Sequence, residues 1–411
     1  MTLSYNVVYF QYHWDEVFGV ISYNNINIFG DNRALFYSTS IGVFSFTCFL
    51  IGYLFYVNFK LVRINVKYGN STLIYRLFAL PIFIIYILVT DPLYFLGGNG
   101  VISPGAMSDY MALLLNSVLT AQVVFGIRGV KYLGKSTLQR LISVFGKINL
   151  FVLFLFLLLN LLSGERGLII YWALLLMLCS KIEMSLKRLT LISLMGVVSL
   201  TYLGRLRGYR GNMSMQDRLV LAAITSDEDR RFGFTSSFPL TQNLAHSGSV
   251  YYRLVGEVRD ENIHESFLLK ELLSVIPFGN QLKSSLIFPN DSDWQKNSAA
   301  YSSYRILNRV SKTNELGTTI LTPFWLDYGL MGAFVGMLLV GTIGGYSDNL
   351  LKNGLDRYAP PFLLTISIIF FANSIYVARG SFFSIFKFAF WTLLMVYVQI
   401  IFTSIFSKSK S

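Results

Sequence analysis

Arg379 stands in the run Tyr-Val-Ala-Arg-Gly-Ser between two apolar stretches. An ionisable side chain at the end of such a stretch is rare and points to function. Its planar, permanently charged fork suits bidentate contact with phosphate oxygens. Interfacial snorkelling by the long side chain is the plainer alternative. A second group, Arg205, Arg207 and Arg210, lies in Gly-Arg-Leu-Arg-Gly-Tyr-Arg-Gly-Asn, and Arg230, Arg231, Arg253, Arg259, Arg305 and Arg309 follow it. Between residues 204 and 322 there are ten arginines against four lysines. Such a cluster beside an apolar segment fits a diphosphate headgroup whose tail stays in lipid. Alternatively, these arginines pair with the twelve acids of the same stretch or touch anionic lipid. Asp327 follows Thr318, Thr319, Thr322 and Pro323 at the start of an apolar run. A carboxylate there could orient or deprotonate an attacking hydroxyl; it could also cap a helix or pair with Arg379.

Other chemistries lack their residues. His13, His246 and His264 have no metal-ligand spacing. His246 reads as an ordinary surface histidine, with a general-base role as the alternative. There is no Gly-x-Ser-x-Gly elbow. Cys48 and Cys179 sit in apolar runs and read as inert packing residues.

The elements that must position these residues are membrane helices. The chain is 54% hydrophobic and only 14% charged, where soluble domains carry about 25% charged residues. A span needs about 20 mainly apolar residues. On that measure the sequence predicts nine spans: Ser38–Asn58, Leu73–Leu96, Ala106–Ile127, Ile142–Ser163, Leu168–Ser180, Leu189–Leu203, Pro323–Gly345, Pro361–Val377 and Phe382–Phe406. The fifth and sixth are short, and an interfacial segment within residues 7–36 would bring the count nearer ten or eleven. Residues 1–32 do not read as a cleavable signal, so the first span is expected to direct insertion. The few acids and histidines within the spans argue against a proton-coupled pump.

The net charge of +12 does not point to nucleic acid. Most of the excess lies in alternate short connections: Lys60, Arg63, Lys67 and Arg76; then Arg128, Lys131, Lys135, Arg140 and Lys147; then Lys181, Lys187 and Arg188; then Lys352 and Arg357. These fall on one side of a nine-span chain, which the positive-inside rule makes cytoplasmic. The expected topology is N-terminus outside, C-terminus inside, and the loop from 204 to 322 outside. The loop is rich in aromatics, among them Phe267, Trp294, Tyr301 and Tyr304. From His264 to Ile276, Phe267, Leu268, Leu272 and Ile276 recur at helical spacing, and Pro277 ends the helix. The organisation expected is an all-α polytopic membrane protein of about 9–11 spans. Membrane helices occupy 1–203 and 323–411, and the loop 204–322 forms an extracytoplasmic subdomain of short helices. Gly332 and Gly336 read as a small-xxx-small packing pair.

This architecture resembles the O-antigen polymerase (Wzy-type) family. Local support comes from Ser-Val-Ile-Pro at 274–277 and Gly-Thr-Thr-Ile-Leu-Thr-Pro-Phe-Trp-Leu-Asp-Tyr-Gly-Leu-Met-Gly at 317–332. Arg379-Gly380 before the last span completes it. The resemblance implies metal-independent, inverting glycosyl transfer between two undecaprenyl-diphosphate-linked oligosaccharides in a bacterial inner membrane. No cofactor is implied. Arg205, Arg207, Arg210, Arg253 and Arg379 would hold the leaving diphosphate and stabilise its developing charge. Asp327 or Glu257 would take the hydroxyl proton, and loop aromatics would offer faces to sugar rings. A chain-length regulator and a flippase are the expected partners, beside the bilayer itself. Three alternatives share parts of the pattern: an O-antigen ligase-type transferase, a lipid-linked oligosaccharide transporter and a membrane scaffold.

Overall fold

The computed structural model describes residues 32–57, 73–95, 104–129, 136–163, 165–180, 254–255, 265–307, 319–353, 359–374 and 382–408. Among these the regular elements are all helical. Five helices are long and apolar enough to cross a membrane, and three shorter ones (Ile74–Val89, Gly167–Ser180 and Pro361–Ala372) are also apolar. The chain is an all-α membrane protein. Eight of the nine expected spans coincide with helices; the sixth, Leu189–Leu203, lies outside the described residues, as do His13, His246 and His264.

Two compact units make up the chain: Met1–Tyr56, Gly211–Gly345 and Ser374–Lys387 form the first, and Val57–Arg210, Tyr346–Asn373 and Phe388–Ser411 the second. The first unit contains α1 (Asn32–Val57), which ends at its boundary. The second contains α2 (Leu73–Val89), α3 (Ala106–Gly129), α4 (Thr137–Ser163) and α5 (Arg166–Ser180). The loop region of the first unit carries α6 (Phe267–Leu273), α7 (Gly279–Leu282) and α8 (Ser298–Leu307). Between α7 and α8 lie a π turn (Lys283–Ile287) and a 3-10 turn (Asp293–Gln295). Three helices close the chain: α9 (Thr322–Asn353), α10 (Pro361–Ala372) and α11 (Phe382–Lys408).

In the second unit α3 is the central element, packing against α2, α4, α5 and α10. Its core holds Tyr75, Tyr86, Leu115, Phe145, Phe156 and Trp172. Several polar groups buried among them pair across helices, where lipid would offer them no partner; Asn116 Nδ2, Ser117 Oγ and Asn149 Oδ1 have no hydrogen-bond partner among the described residues. Trp172 Nε1 donates to Asn116 Oδ1 at 2.7 Å, and Thr120 and Tyr171 share a hydroxyl hydrogen bond at 3.0 Å. Cys48 and Cys179 are free and buried, as their apolar settings predict.

Several of the described helices differ from the plain spans that hydropathy predicts. Gly146 adopts φ 75°, ψ 165° within α4 and breaks it into two limbs. Only glycine occupies this region readily. Gln122 Nε2 donates to the Phe145 carbonyl beside the break at 2.7 Å, and Asn149 Nδ2 donates to Gln122 Oε1 at 2.8 Å and to the Tyr75 carbonyl at 3.0 Å. A buried pair of amides therefore holds the kink. Helix α2 stops at Val89 instead of reaching Leu96. Pro92 cannot continue it, and Asp91 turns the chain by accepting the Leu93 N–H at 2.9 Å. Helix α10 ends at Ala372, where Asn373 closes the last turn through its side chain on the Ile369 carbonyl.

Candidate functional site

The second kink lies in the first unit and positions Asp327. In α9, Gly329 takes φ 54°, ψ −134°, so the turn from Thr322 to Tyr328 leaves the helix axis. That turn opens with Thr319, whose hydroxyl and N–H both meet the Thr322 hydroxyl, at 3.0 and 3.2 Å. The turn folds back onto the helix that follows. A Cβ on Gly332 would stand 1.9 Å from the Phe324 carbonyl oxygen, and one on Gly336 would stand 2.5 Å from the Phe324 ring. The expected packing pair Gly332/Gly336 thus seats the helix's own first turn. Contact with α1 falls to a different set: Cβ atoms on Gly341 and Gly345 would lie 2.1 and 2.2 Å from the carbonyls of Phe49 and Tyr53. Small residues let the two backbones approach. Trp325 anchors the displaced turn by meeting Tyr37 of α1 edge-on at 5.9 Å.

Asp327 is half-buried, and both carboxylate oxygens are engaged. Oδ1 accepts the Phe267 N–H at 2.9 Å and Oδ2 the Leu268 N–H at 2.7 Å. These are the opening N–H groups of α6, which have no partner within the helix. Ser266, the residue in the capping position, has left-handed backbone and no capping side-chain bond. Asp327 replaces it from 60 positions away and places a negative charge at the positive end of the short helix. Of the readings open at Asp327, the geometry shows helix capping, while pairing with Arg379 involves a residue outside those described.

The inward face of α6 follows the apolar spacing only in part, at Phe267. Phe267, Lys270 and Glu271 are buried, while Leu269, Leu272 and Ile276 are exposed. The charged pair is tolerated inside because each member is satisfied. Lys270 Nζ lies 2.8 Å from Asp291 and 3.6 Å from Glu265, donates to the Gln295 carbonyl at 3.0 Å, and stands 4.7 Å over the Phe288 ring. Glu271 accepts the Ser298 hydroxyl and, at 3.3 Å, its N–H at the start of α8. Lys283 is held below the ordinary lysine range, chiefly because burial strips water from its ammonium group. Neighbouring Asp291 opposes that effect.

From this core an aromatic series runs outward. Phe267 packs on Tyr301 at 5.3 Å, Tyr301 on Trp294 at 5.9 Å, and Trp294 stacks on Tyr304 at 5.3 Å with planes 16° apart. Phe267 and Tyr301 are buried, and Tyr304 is exposed. The outer end thus offers a partly exposed aromatic pair within the same unit as Asp327. Among the described residues no three His, Cys, Asp or Glu side chains converge as a metal site would require.

No family model, no curated protein and no solved structure matches this chain. Of the residues to which the sequence assigns a catalytic or diphosphate-binding role, Asp327 alone falls among those described. Arg205, Arg207, Arg210, Arg253, Glu257 and Arg379 lie outside them. Sequence reasoning missed Lys270, Gly329 and the cross-chain cap. The one local signal for the kink is the Tyr-Gly-x-x-Gly run itself, which places a glycine directly after the first turn of the span.

Proposed function

We propose that the protein polymerises undecaprenyl-diphosphate-linked oligosaccharide repeat units, as O-antigen or capsular polysaccharide, on the extracytoplasmic face of a bacterial inner membrane. The observation that carries this reading is a carboxylate, Asp327, at the mouth of a membrane helix, hydrogen-bonded to a subdomain whose exposed aromatics suit sugar rings. In this reading the N-terminus is outside, the C-terminus is cytoplasmic, and 9–11 spans surround the 204–322 loop. The exposed Leu269 and Leu272 of α6, and Ile276 just beyond it, then face the lipid surface on which the substrates are anchored.

The reaction is an inverting displacement. The growing glycan on one undecaprenyl diphosphate is the donor, and a hydroxyl of a second lipid-linked repeat unit attacks its anomeric carbon. The C–O bond to the diphosphate breaks, and undecaprenyl diphosphate leaves with the electron pair. Arg205, Arg207, Arg210, Arg253 and Arg379 hold that diphosphate and meet its charge as it develops. Asp327 takes the hydroxyl proton: each of its oxygens keeps a lone pair after binding α6, since a carboxylate oxygen accepts twice. Glu257 is the alternative base. Trp294 and Tyr304 stack on a sugar ring of the acceptor. Chain-length regulation and flipping of the substrates fall to separate partner proteins.

The test is a gel of surface glycans from cells lacking the protein, complemented with wild type or Arg379→Ala at matched expression. Polymerase activity predicts single-repeat glycans in the deletion, a ladder with wild type, and single repeats again with Arg379→Ala. Absence of any repeat unit from the acceptor in the deletion strain points instead to a ligase-type transferase or a transporter. A ladder that survives deletion removes the glycan reading.

A further inference from the structure

The kink at Gly146 opens a groove on the second unit that the proposed polymerisation does not use. The groove has a volume of about 450 Å³ and is lined almost wholly by apolar groups, among them Leu138 and Leu141 before the kink, Leu150 and Phe154 after it, and Leu176 of α5. Its one charged lining residue is Lys147, the residue that follows the kink. Arg76 of α2, outside the lining itself, approaches the kink: its Nε lies 3.2 Å from where a Cβ on Gly146 would be. Lys147 and Arg76 are both exposed, and among the described residues neither has an ion-pair partner.

The two limbs of α4 differ in character. The 147–163 limb is apolar and reaches the lower end of the length that crosses a bilayer, about 17 residues. The limb before the kink mixes Leu138, Leu141 and Ile142 with Gln139, Arg140 and Ser143, the composition of a helix that lies in the interface. Lys147 therefore begins the span at headgroup depth, with an apolar groove running from it towards the hydrocarbon. The kink that makes the groove is built in, since the Gln122–Asn149 amide pair fastens the two limbs.

We propose that this groove is a binding site for an anionic glycerophospholipid. The phosphate is held by Lys147 and Arg76, and one acyl chain lies along Leu138, Leu150, Phe154 and Leu176. A zwitterionic lipid has the same chains but brings its own cation to the two cations of the site, so headgroup charge is what the site selects.

Native mass spectrometry of the purified full-length protein, titrated with phosphatidylglycerol, phosphatidylcholine of the same acyl chains, or undecaprenyl phosphate, tests the proposal. Wild type is expected to retain phosphatidylglycerol in preference to the other two. The double variant Arg76→Gln/Lys147→Gln should retain it about thirtyfold less well, at about 1 kcal/mol for each cation near an anionic headgroup, with phosphatidylcholine unchanged. Leu138→Trp, which fills the groove from an exposed position and leaves both cations in place, should also lose phosphatidylglycerol. Equal retention of the two phospholipids by wild type, undiminished binding in both variants, or tighter retention of undecaprenyl phosphate than of phosphatidylglycerol would each overturn it.

Discussion

Two regions of this protein break a long apolar helix at a glycine with positive φ and hold the break by different means. At Gly146 the neighbouring groups are neutral: a fully buried glutamine donates to the carbonyl beside the kink and accepts from a fully buried asparagine. At Gly329 the displaced turn carries a carboxylate, and that carboxylate is tied to α6, whose own inward face is a charged network around Lys270. Neutral amides suit a site enclosed by other membrane helices, where an ion would have to be desolvated. Charges suit the region of short helices, where several partners converge on one cation. The first arrangement fixes a shape, whereas the second leaves a carboxylate at the mouth of a span.

The sharpest way to break the contrast is Lys270→Met. It removes the cation from Asp291 and Glu265, and removing one partner of a buried ion pair costs about 3–5 kcal/mol. Loss of the folded loop region is expected, read as rapid proteolysis between residues 265 and 307 while the 147–163 limb stays protected. Next is Gln122→Leu, which leaves the Phe145 carbonyl and an Asn149 N–H unpaired at a cost of about 3 kcal/mol. Melting in detergent should show it, and the double variant with Asn149→Leu should be less destabilised than the two single losses added together.

Asp327→Ala exposes two N–H groups of a half-buried helix end and should cost about 2 kcal/mol. Asp327→Asn keeps one acceptor and should recover part of that stability. Hydrogen exchange at Phe267 and Leu268 measures this loss directly. If Asp327 is also the base, Asp327→Asn abolishes the glycan ladder despite its better folding, whereas a purely structural Asp327 predicts a ladder that follows stability. The smallest effects belong to the glycines. Gly146→Ala and Gly329→Ala each force an L side chain into a conformation that it avoids, at about 1–2 kcal/mol. Gly146→Ala should be the worse, because its Cβ meets Arg76 while that of Gly329 meets open space.

Much of the scaffold was legible in the sequence because burial in lipid writes itself as apolar length. Every expected span within the described residues appears as a helix, including the short Leu168–Ser180 segment. The kinks were not legible, since a hydropathy window averages over a glycine and carries no information about its φ. The inward face of α6 was legible only in part, at Phe267, for a related reason. Apolar spacing nominated Leu272 and Ile276, but the partners that make Lys270 an interior residue lie 21 and 25 positions further on, at Asp291 and Gln295. Asp327 was found as a residue, with capping among its readings. Its target, α6, could not be named, because nothing local links residue 327 to residue 267.

The proposed joining of lipid-linked repeat units can be measured with purified protein and undecaprenyl-diphosphate-linked repeat units extracted from the deletion strain, incubated with a metal chelator present. A polymerase gives a ladder of glycans that grows by one repeat at a time, with one undecaprenyl diphosphate released for each bond formed. Repeat units recovered unchanged, from protein that remains folded, would contradict that proposal.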